Sequence, residues 1–223
     1  MKIKGCYIPD RDAWIINLCT GKKVLHLGCT DWPLTDDRLN KGDLLHQKLS
    51  GVCELLVGVD PDENGIKAMR KAMPKHVFHV SRAEDMRNIS GIAEASWDII
   101  LAADVVEHIS DLGAALDSVS ALMEPSTELL VTTPSAFSLK RFLAWCFAGT
   151  EHVHPDHCFY FSPSTLTQIL NRSGLELERY GFFMWKNRRA INRLALLLLG
   201  PVNILMRGRL ADELAATCRK KAT

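Results

Sequence analysis

An apolar segment that ends in a glycine turn is the first feature of this sequence with chemical meaning. Residues 24–27 predict a buried strand, and Gly28 ends it so that the backbone can approach a ligand. A second apolar strand ends at Asp60 and Pro61, which places a carboxylate at the end of the neighbouring strand. That carboxylate could accept hydrogen bonds from both hydroxyls of a ribose. These residues therefore predict a site for an adenosine-containing cofactor.

Both residues also have plain structural interpretations. Gly28 could serve only a strand-to-helix turn, and Asp60 could cap the helix that follows it. We favour cofactor binding because each residue directly follows a buried strand. The separation between them is longer than the ~20 residues of a dinucleotide fingerprint. This spacing argues against a nicotinamide enzyme.

Composition and charge limit the class of protein. Hydrophobic residues make up 47% of the 223 residues and charged residues 24%, which is ordinary for one sizeable globular domain. A net charge of +1 gives no global field, so no nucleic-acid partner is predicted. The 7 cysteines include no C-x-x-C pair, which argues against a zinc knuckle or a disulfide framework. Without an apolar signal region or a membrane-length run, we expect a cytoplasmic protein.

Strand and helix patterns alternate along most of the chain. Apolar strands separated by helical patterns are predicted at residues 23–27, 53–59, 76–80, 98–103 and 128–132. This alternation is typical of a parallel sheet with helices on both faces. Two further strands are predicted at residues 175–183 and 214–218.

Four segments, in this order and spacing, resemble the class I S-adenosylmethionine-dependent methyltransferases. They are residues 24–30, 57–60, 83–86 and 97–109. The last is the most specific, because Asp98 opens a strand and Glu107-His108 follow its end. Within the class, the chain resembles the group that contains ubiquinone-biosynthesis O-methyltransferases and many small-molecule and sugar methyltransferases. The resemblance covers residues 22–183.

The resemblance implies the fold, the cofactor and the residues that hold it. The fold class would be α/β, a Rossmann-like doubly wound sheet in three layers, mostly parallel with an antiparallel last strand, in a single domain over 1–223. S-adenosyl-L-methionine would be the methyl donor and S-adenosyl-L-homocysteine the product. The implied cofactor-binding residues are His26, Gly28, Cys29, Thr30, Asp60, Pro61, Ala83, Glu84, Ala103 and Asp104.

Three positions depart from the family pattern. His26 stands where the family usually has an acid, and could anchor the amino group of the cofactor through water. Thr30 replaces a second glycine, and its hydroxyl could donate to the methionine carboxylate. Arg82 replaces an acid near the adenine amine. The alternative function is therefore a degenerate domain that binds the cofactor without catalysis. A nicotinamide oxidoreductase is less favoured, because Gly-x-Gly-x-x-Gly is missing.

Histidines supply the candidate catalytic groups. Four of the 8 histidines lie at positions 108, 152, 154 and 157. A histidine that titrates near neutrality can act as general base for a hydroxyl acceptor. His157 is the first candidate and His154 the second, while His108 could face the acceptor or be a structural histidine. The spacing of residues 151–157 matches no recognised ligand pattern, so we predict no metal and keep a metal site as the minor interpretation.

The second half of the chain should serve the acceptor. We expect residues 134–161 and 184–212 to be acceptor-site or lid insertions, and the acceptor to be a small molecule or a glycan- or lipid-linked intermediate. Arginines flank an apolar run within residues 188–209 that is too short to span a bilayer. The run could be a buried helix or a homodimer contact. It could also be a lid that makes peripheral contact with a membrane surface.

Overall fold

The computed structural model describes residues 5–151, 153–184, 201 and 204–221. The strands are β1 (Cys6–Tyr7), β2 (Lys23–Leu27), β3 (Leu55–Asp60), β4 (Val77–Val80), β5 (Ile99–Ala103), β6 (Glu128–Pro134), β7 (Leu175–Phe183) and β8 (Glu213–Lys220). The helices are α1 (Arg11–Cys19), α2 (Thr35–Lys41), α3 (Leu45–Leu49), α4 (Glu63–Ala72), α5 (Ser90–Ala93), α6 (Leu112–Leu122), α7 (Leu139–Ala148) and α8 (Pro163–Arg172). A 3₁₀ helix covers Ala83–Asn88.

The described strands form one sheet in the order β1-β7-β8-β6-β5-β2-β3-β4. Strand β2 pairs in parallel with β3 on one side and β5 on the other. Strand β8 runs antiparallel to both β6 and β7. The predicted fold class, a mostly parallel doubly wound sheet with an antiparallel last strand, is confirmed. Chain order reverses at β2, so the carboxyl ends of β2, β3 and β5 form the crevice where ligands bind in such sheets.

Two features of the fold differ from the sequence prediction. The two-residue strand β1 pairs in parallel with β7 and was not predicted, because two residues carry no periodic pattern. The helical pattern predicted between the first two strands, β2 and β3, is divided into α2 and α3. Gly42, with a φ of 67°, ends α2 in the left-handed conformation, and its N–H donates to the carbonyls of Arg38 and Leu39.

The core has two layers, one on each face of the sheet. Neighbouring residues of β2 show the division, because Leu25 belongs to one buried cluster and Val24 to the other. Helix α6 buries its apolar residues in the first layer. Helix α7 differs, since it has no buried residue and leaves Phe142, Trp145 and Phe147 exposed.

Most of the predicted lid lies outside the described residues. Residues 185–200, 202 and 203 are among those the structure does not describe, so the lid, homodimer and membrane-contact interpretations of residues 188–209 stay predictions. In the described part of the chain, no helix has both the length and the apolar character to cross a bilayer.

Candidate functional site

A cavity of about 630 Å³ lies at the carboxyl ends of β2, β3 and β5. All ten residues predicted to hold the cofactor line it, together with two of the three candidate catalytic histidines, His108 and His154. His157 does not line the cavity. The volume falls within the roughly 300–1,000 Å³ of small-molecule and cofactor sites. The structure therefore brings the predicted cofactor residues to one place.

Gly28 forms the turn at the end of β2, and no other residue fits its position. Its φ is 66°, and an added Cβ would collide with Cγ2 of Val105 on the loop after β5. The N–H of Gly28 donates to the carbonyl of Val59 in β3 at 2.9 Å. The turn is thus clamped between the ends of its two neighbouring strands.

Asp60 ends β3 with its side chain at the cavity and is only 7% exposed. One carboxylate oxygen accepts from the N–H of Thr30 at 3.0 Å, and the other accepts from the N–H of Asp62 at 2.9 Å. Asp62, not Asp60, caps α4, because its own Oδ1 accepts from Asn64 N–H at 3.1 Å. A carboxylate offers about four acceptor sites. Asp60 therefore keeps acceptor capacity for ligand hydroxyls, and the helix-cap interpretation of this residue is wrong.

His26 stands at the base of the cavity, stacked on His46. The two Nδ1 atoms lie 3.1 Å apart and the rings are inclined by 7°. Burial, together with the nearby Arg11, lowers the pKa of His26 to about 3, so its imidazole is neutral. His26 thus offers a neutral polar wall, and the charge that an acid would place there is missing.

The residues that follow Gly28 use their backbones toward the cavity. The side chain of Cys29 is 1% exposed and belongs to the apolar cluster formed with α2 and α4. The methyl group of Thr30 contacts Gly65 in α4, so closely that a Cβ on Gly65 would lie 2.8 Å from it. Both side chains therefore help to dock the turn on the helices.

Asp104 follows β5 in the left-handed region, with a φ of 55°. Its Oδ1 accepts from the hydroxyl of Thr132 at 2.7 Å, and its Oδ2 forms an ion pair with Arg11. The contact with β6 holds the carboxylate beside the cavity, next to Ala103. The strained backbone at Asp104 is fixed by these contacts, as is common at binding sites.

Two arginines of the cavity were missed by the sequence analysis. Arg11, in the first turn of α1, pairs with Asp12 and Asp104. Arg38 of α2 pairs with Asp31. Neither belongs to a motif, and a single arginine on a short helix gives no signal in one sequence.

The opposite wall is formed by the start of the 3₁₀ helix. Arg82 and Glu84 form an ion pair of 3.2 Å at the cavity rim. The backbone of Ala83 lies between them, and Met86 is fully buried behind it. This wall combines apolar surface with backbone polar groups, which suits a flat heteroaromatic ring.

A cluster of three histidines borders the other end of the cavity. The ring centroid of His108 lies 4.6 Å from that of His157 and 5.5 Å from that of His154. One ring nitrogen from each lies within 4.8 Å of the others. Burial lowers the pKa of His157 to about 4, with smaller contributions from its histidine neighbours, so it is neutral near pH 7. The remaining candidate of this run, His152, is outside the described residues.

Glu107 precedes His108 and is buried, with 1% exposure. Burial, reinforced by the nearby Asp104 carboxylate, raises its pKa to about 8. Glu107 belongs to the most specific of the four motif segments, residues 97–109, and no role was predicted for it. Its backbone carbonyl accepts from Cys158 N–H at 2.7 Å, which ties the loop after β5 to residues 149–162.

Comparison with known proteins identifies the family of this chain. The family model for a methyltransferase domain matches residues 20–180. The ubiquinone biosynthesis O-methyltransferase of Nitrobacter winogradskyi is 27% identical over 184 residues, which is 77% of this chain and 63% of that protein. The chain thus spans less than two thirds of the length of this curated relative.

Solved structures agree in fold. A SAM-dependent methyltransferase from Archaeoglobus fulgidus matches with a TM-score of 0.59 at 20% identity, covering 93% of this chain and 90% of that chain. Magnesium protoporphyrin IX methyltransferase from Synechocystis, solved with bound SAH, matches with a TM-score of 0.59 at 14% identity, covering 94% and 80%. The family model spans well over half of the sequence, so the chain belongs to the methyltransferase domain family, as its four motif segments predicted.

Proposed function

We propose that this chain transfers a methyl group from S-adenosyl-L-methionine to an oxygen or nitrogen of an acceptor. The acceptor would be a small molecule or a glycan- or lipid-linked intermediate. The observation that carries the proposal is the placement of Asp60. Its buried carboxylate opens into a cavity at the switch point of the sheet, beside the glycine turn of β2.

The cavity residues fit the parts of this cofactor. Asp60 would accept hydrogen bonds from the two ribose hydroxyls, since its two present donors leave further lone pairs. Ala83 and Glu84 would border the adenine. The turn at residues 28–30 would approach the methionine portion with its backbone. Arg11, already held at the cavity by Asp104, would attract the methionine carboxylate.

The chemistry requires the protein mainly to align two reactants. The sulfonium of the cofactor makes its methyl group electrophilic. The chain would hold the acceptor in line and exclude water, which can supply a large part of the rate enhancement. At the acceptor end, His108 and His154 line the cavity. Burial lowers the pKa of His108, so its neutral imidazole could accept the proton of a hydroxyl. His157 would act from behind them, through its contact with His108.

One observation supports an oxygen acceptor, and another supports an acceptor-binding role for the second half of the chain. The N. winogradskyi relative is named for O-methylation in ubiquinone biosynthesis. Residues 134–161, which we propose as an acceptor-site insertion within a single domain, contribute His154 and Asp156 to the cavity. They also carry the uncovered apolar side chains of α7, which would suit a greasy acceptor.

The second candidate is a domain that binds the cofactor without catalysis. The observation that favours it is His26, whose Nδ1 is turned to His46 and whose ring is neutral. The site thus lacks the carboxylate that usually stands at this strand end. Binding of S-adenosylhomocysteine without methyl transfer to any hydroxyl or amine acceptor would support this candidate.

Isothermal titration calorimetry with S-adenosylhomocysteine tests the proposal. Asp60→Ala should weaken its affinity more than ~10-fold, because charge-assisted hydrogen bonds to the ribose are lost. Asp98→Ala is the matched control. Asp98 also accepts a backbone N–H from a neighbouring strand, that of Lys23 at 2.8 Å, but at the opposite end of the sheet. The control should bind as the unmodified protein does.

Two results would contradict the proposal. Tight binding of a nicotinamide dinucleotide in place of S-adenosylhomocysteine would make the chain an oxidoreductase. Equal affinity in the folded Asp60→Ala variant would mean that Asp60 only supports the turn at residues 28–30.

A further inference from the structure

We propose that His108, His154 and His157 form a binding site for one divalent transition-metal ion of the zinc type. The three side chains each offer a ring nitrogen, and these atoms lie within 4.8 Å of one another. Imidazole is a preferred ligand of Zn²⁺, Co²⁺ and related ions. The sequence analysis favoured a general base here, because the spacing alone does not reveal that His108 joins the other two.

Two loops that are tied together build this cluster. His108 lies on the loop after β5, and its N–H donates to the carbonyl of Val105 at 2.9 Å. His154 and His157 share a turn in which the N–H of His157 donates to the carbonyl of His154 at 3.0 Å. The bond from Cys158 N–H to the carbonyl of Glu107 then joins the two loops directly beside the histidines. The cluster is thus fixed by backbone contacts.

The rings of His157 and His154 each have a nitrogen that is available for ligation. Nδ1 of His157 is buried and has no hydrogen-bond partner among the described residues, which is costly for a polar atom unless something binds it. Nδ1 of His154 accepts from the N–H of Asp156 at 3.4 Å, which leaves its other nitrogen for a ligand. The carboxylate of Asp156, 3.8 Å from His154, adds negative charge that favours a cation.

The three imidazole rings need to move only slightly toward one another to bind one ion. Zinc–nitrogen bonds of ~2.1 Å in a tetrahedral site place the nitrogens ~3.4 Å apart, so each pair of ring nitrogens would approach by at most ~1.4 Å from the 4.8 Å limit. Three protein ligands leave a fourth position open, which is the arrangement of catalytic rather than structural zinc. Because two of the three histidines line the cavity, that position would face the acceptor end.

The role of the ion rests on the proposed function. An acceptor hydroxyl at the open position would become more acidic. Its O–H bond would break with the proton passing to solvent, because the ring nitrogens that would otherwise accept it would be bound to the ion. The oxygen electron pair would form the new bond to the methyl carbon, and the pair of the broken carbon–sulfur bond would stay on sulfur. The site thus favours hydroxyl acceptors over amines.

Metal binding itself can be measured without any acceptor. The tag-free protein is stripped with a chelator and titrated with Zn²⁺ by calorimetry, and with Co²⁺ by its visible absorption. We expect about one equivalent of each ion, and a cobalt spectrum of tetrahedral or five-coordinate type. His108→Ala, His154→Ala and His157→Ala should each weaken Zn²⁺ binding by more than ~10-fold, since even outer-shell changes cost that much. His79→Ala, on β4, is the matched control and should bind Zn²⁺ unchanged.

The outcomes separate this inference from the proposed function. Absence of saturable binding, or binding that survives in the His108→Ala/His154→Ala double variant, overturns the metal site. If His157→Ala fails to fold, His154→Ala decides alone, because that side chain is 45% exposed. S-adenosylhomocysteine affinity of the metal-stripped protein is the parallel measurement. Absence of S-adenosylhomocysteine binding both before and after stripping contradicts the proposed function, whereas intact affinity without metal binding contradicts only the metal site.

Discussion

The cofactor end and the histidine end of the cavity are built in different ways. At the cofactor end, Gly28, Asp60 and Asp104 stand at the ends of three paired strands, and backbone hydrogen bonds fix their separation. At the histidine end, His108 and His154 lie on loops, and the adjacent helix α7 buries none of its residues. The sheet therefore determines the cofactor end, while two loops determine the histidine end. A common cofactor needs the rigid end, and variation of the acceptor can be accommodated at the other.

The largest effect on stability is expected at the cofactor end, from Gly28→Ala. The left-handed backbone would cost about 1 kcal/mol, and the collision with Val105 should add about 2 kcal/mol of overpacking. We expect the free energy of unfolding in urea to fall by this total, with loss of S-adenosylhomocysteine binding.

Gly42→Ala is the matched control for the backbone cost. Gly42 has nearly the same φ, 67°, but nothing lies within 4 Å of an added Cβ. It should lose only about 1 kcal/mol. The double variant Gly28→Ala/Val105→Ala should regain part of the loss. Equal destabilisation by Gly28→Ala and Gly42→Ala would show that the side chain of Val105 does not hinder a Cβ at position 28.

The next effect concerns the buried histidine pair beneath the cofactor end. Burial lowers the pKa of His26 to about 3, and burial beside His26 also lowers the pKa of His46. In the unfolded chain both titrate near ~6.5, so below that pH the unfolded state binds more protons. Stability present above pH 6.5 should therefore be lost as the pH falls toward 3. At pH 5 the loss from His26 is about 2 kcal/mol, and His46 adds to the loss in the same direction.

Urea unfolding at pH 7.5 and pH 5 measures this loss. In His46→Asn, whose amide can replace Nδ1 as the partner of His26, the difference in the free energy of unfolding between the two pH values should shrink, because one depressed histidine pKa is removed. His79→Asn is the comparison, since His79 is only partly buried on the edge strand β4, and it should change the pH dependence far less. An unchanged pH dependence in His46→Asn would mean that the buried pair does not control acid stability.

The two ends also differ in how far the sequence could predict them. Strand ends are marked locally, by an apolar run followed by glycine or aspartate, so Gly28 and Asp60 could be found in one sequence. The histidine cluster joins His108 to residues far along the chain, and no periodic pattern records that contact. Arg11 could not be found either, because its place beside Asp104 depends on how α1 packs on the sheet. The sequence therefore indicates which residues lie together where those residues follow strands, and it gives no such indication where packing brings distant loops together.

The smallest effect should come from substitution of Thr30. This substitution tests whether cofactor binding at the cofactor end depends on the backbone alone. The N–H of Thr30 donates to Asp60, and glycine would keep that bond. The side-chain methyl group contacts Gly65, so its removal should lower stability by at most about 1 kcal/mol. We therefore expect Thr30→Gly to bind S-adenosylhomocysteine as tightly as the unmodified protein, or more tightly because the cofactor can approach more closely. Thr30→Val is the matched variant, since it keeps the shape and removes only the hydroxyl. A large loss of affinity in both variants would make the hydroxyl a ligand, and the cofactor end would then depend on a side chain that the backbone argument leaves out.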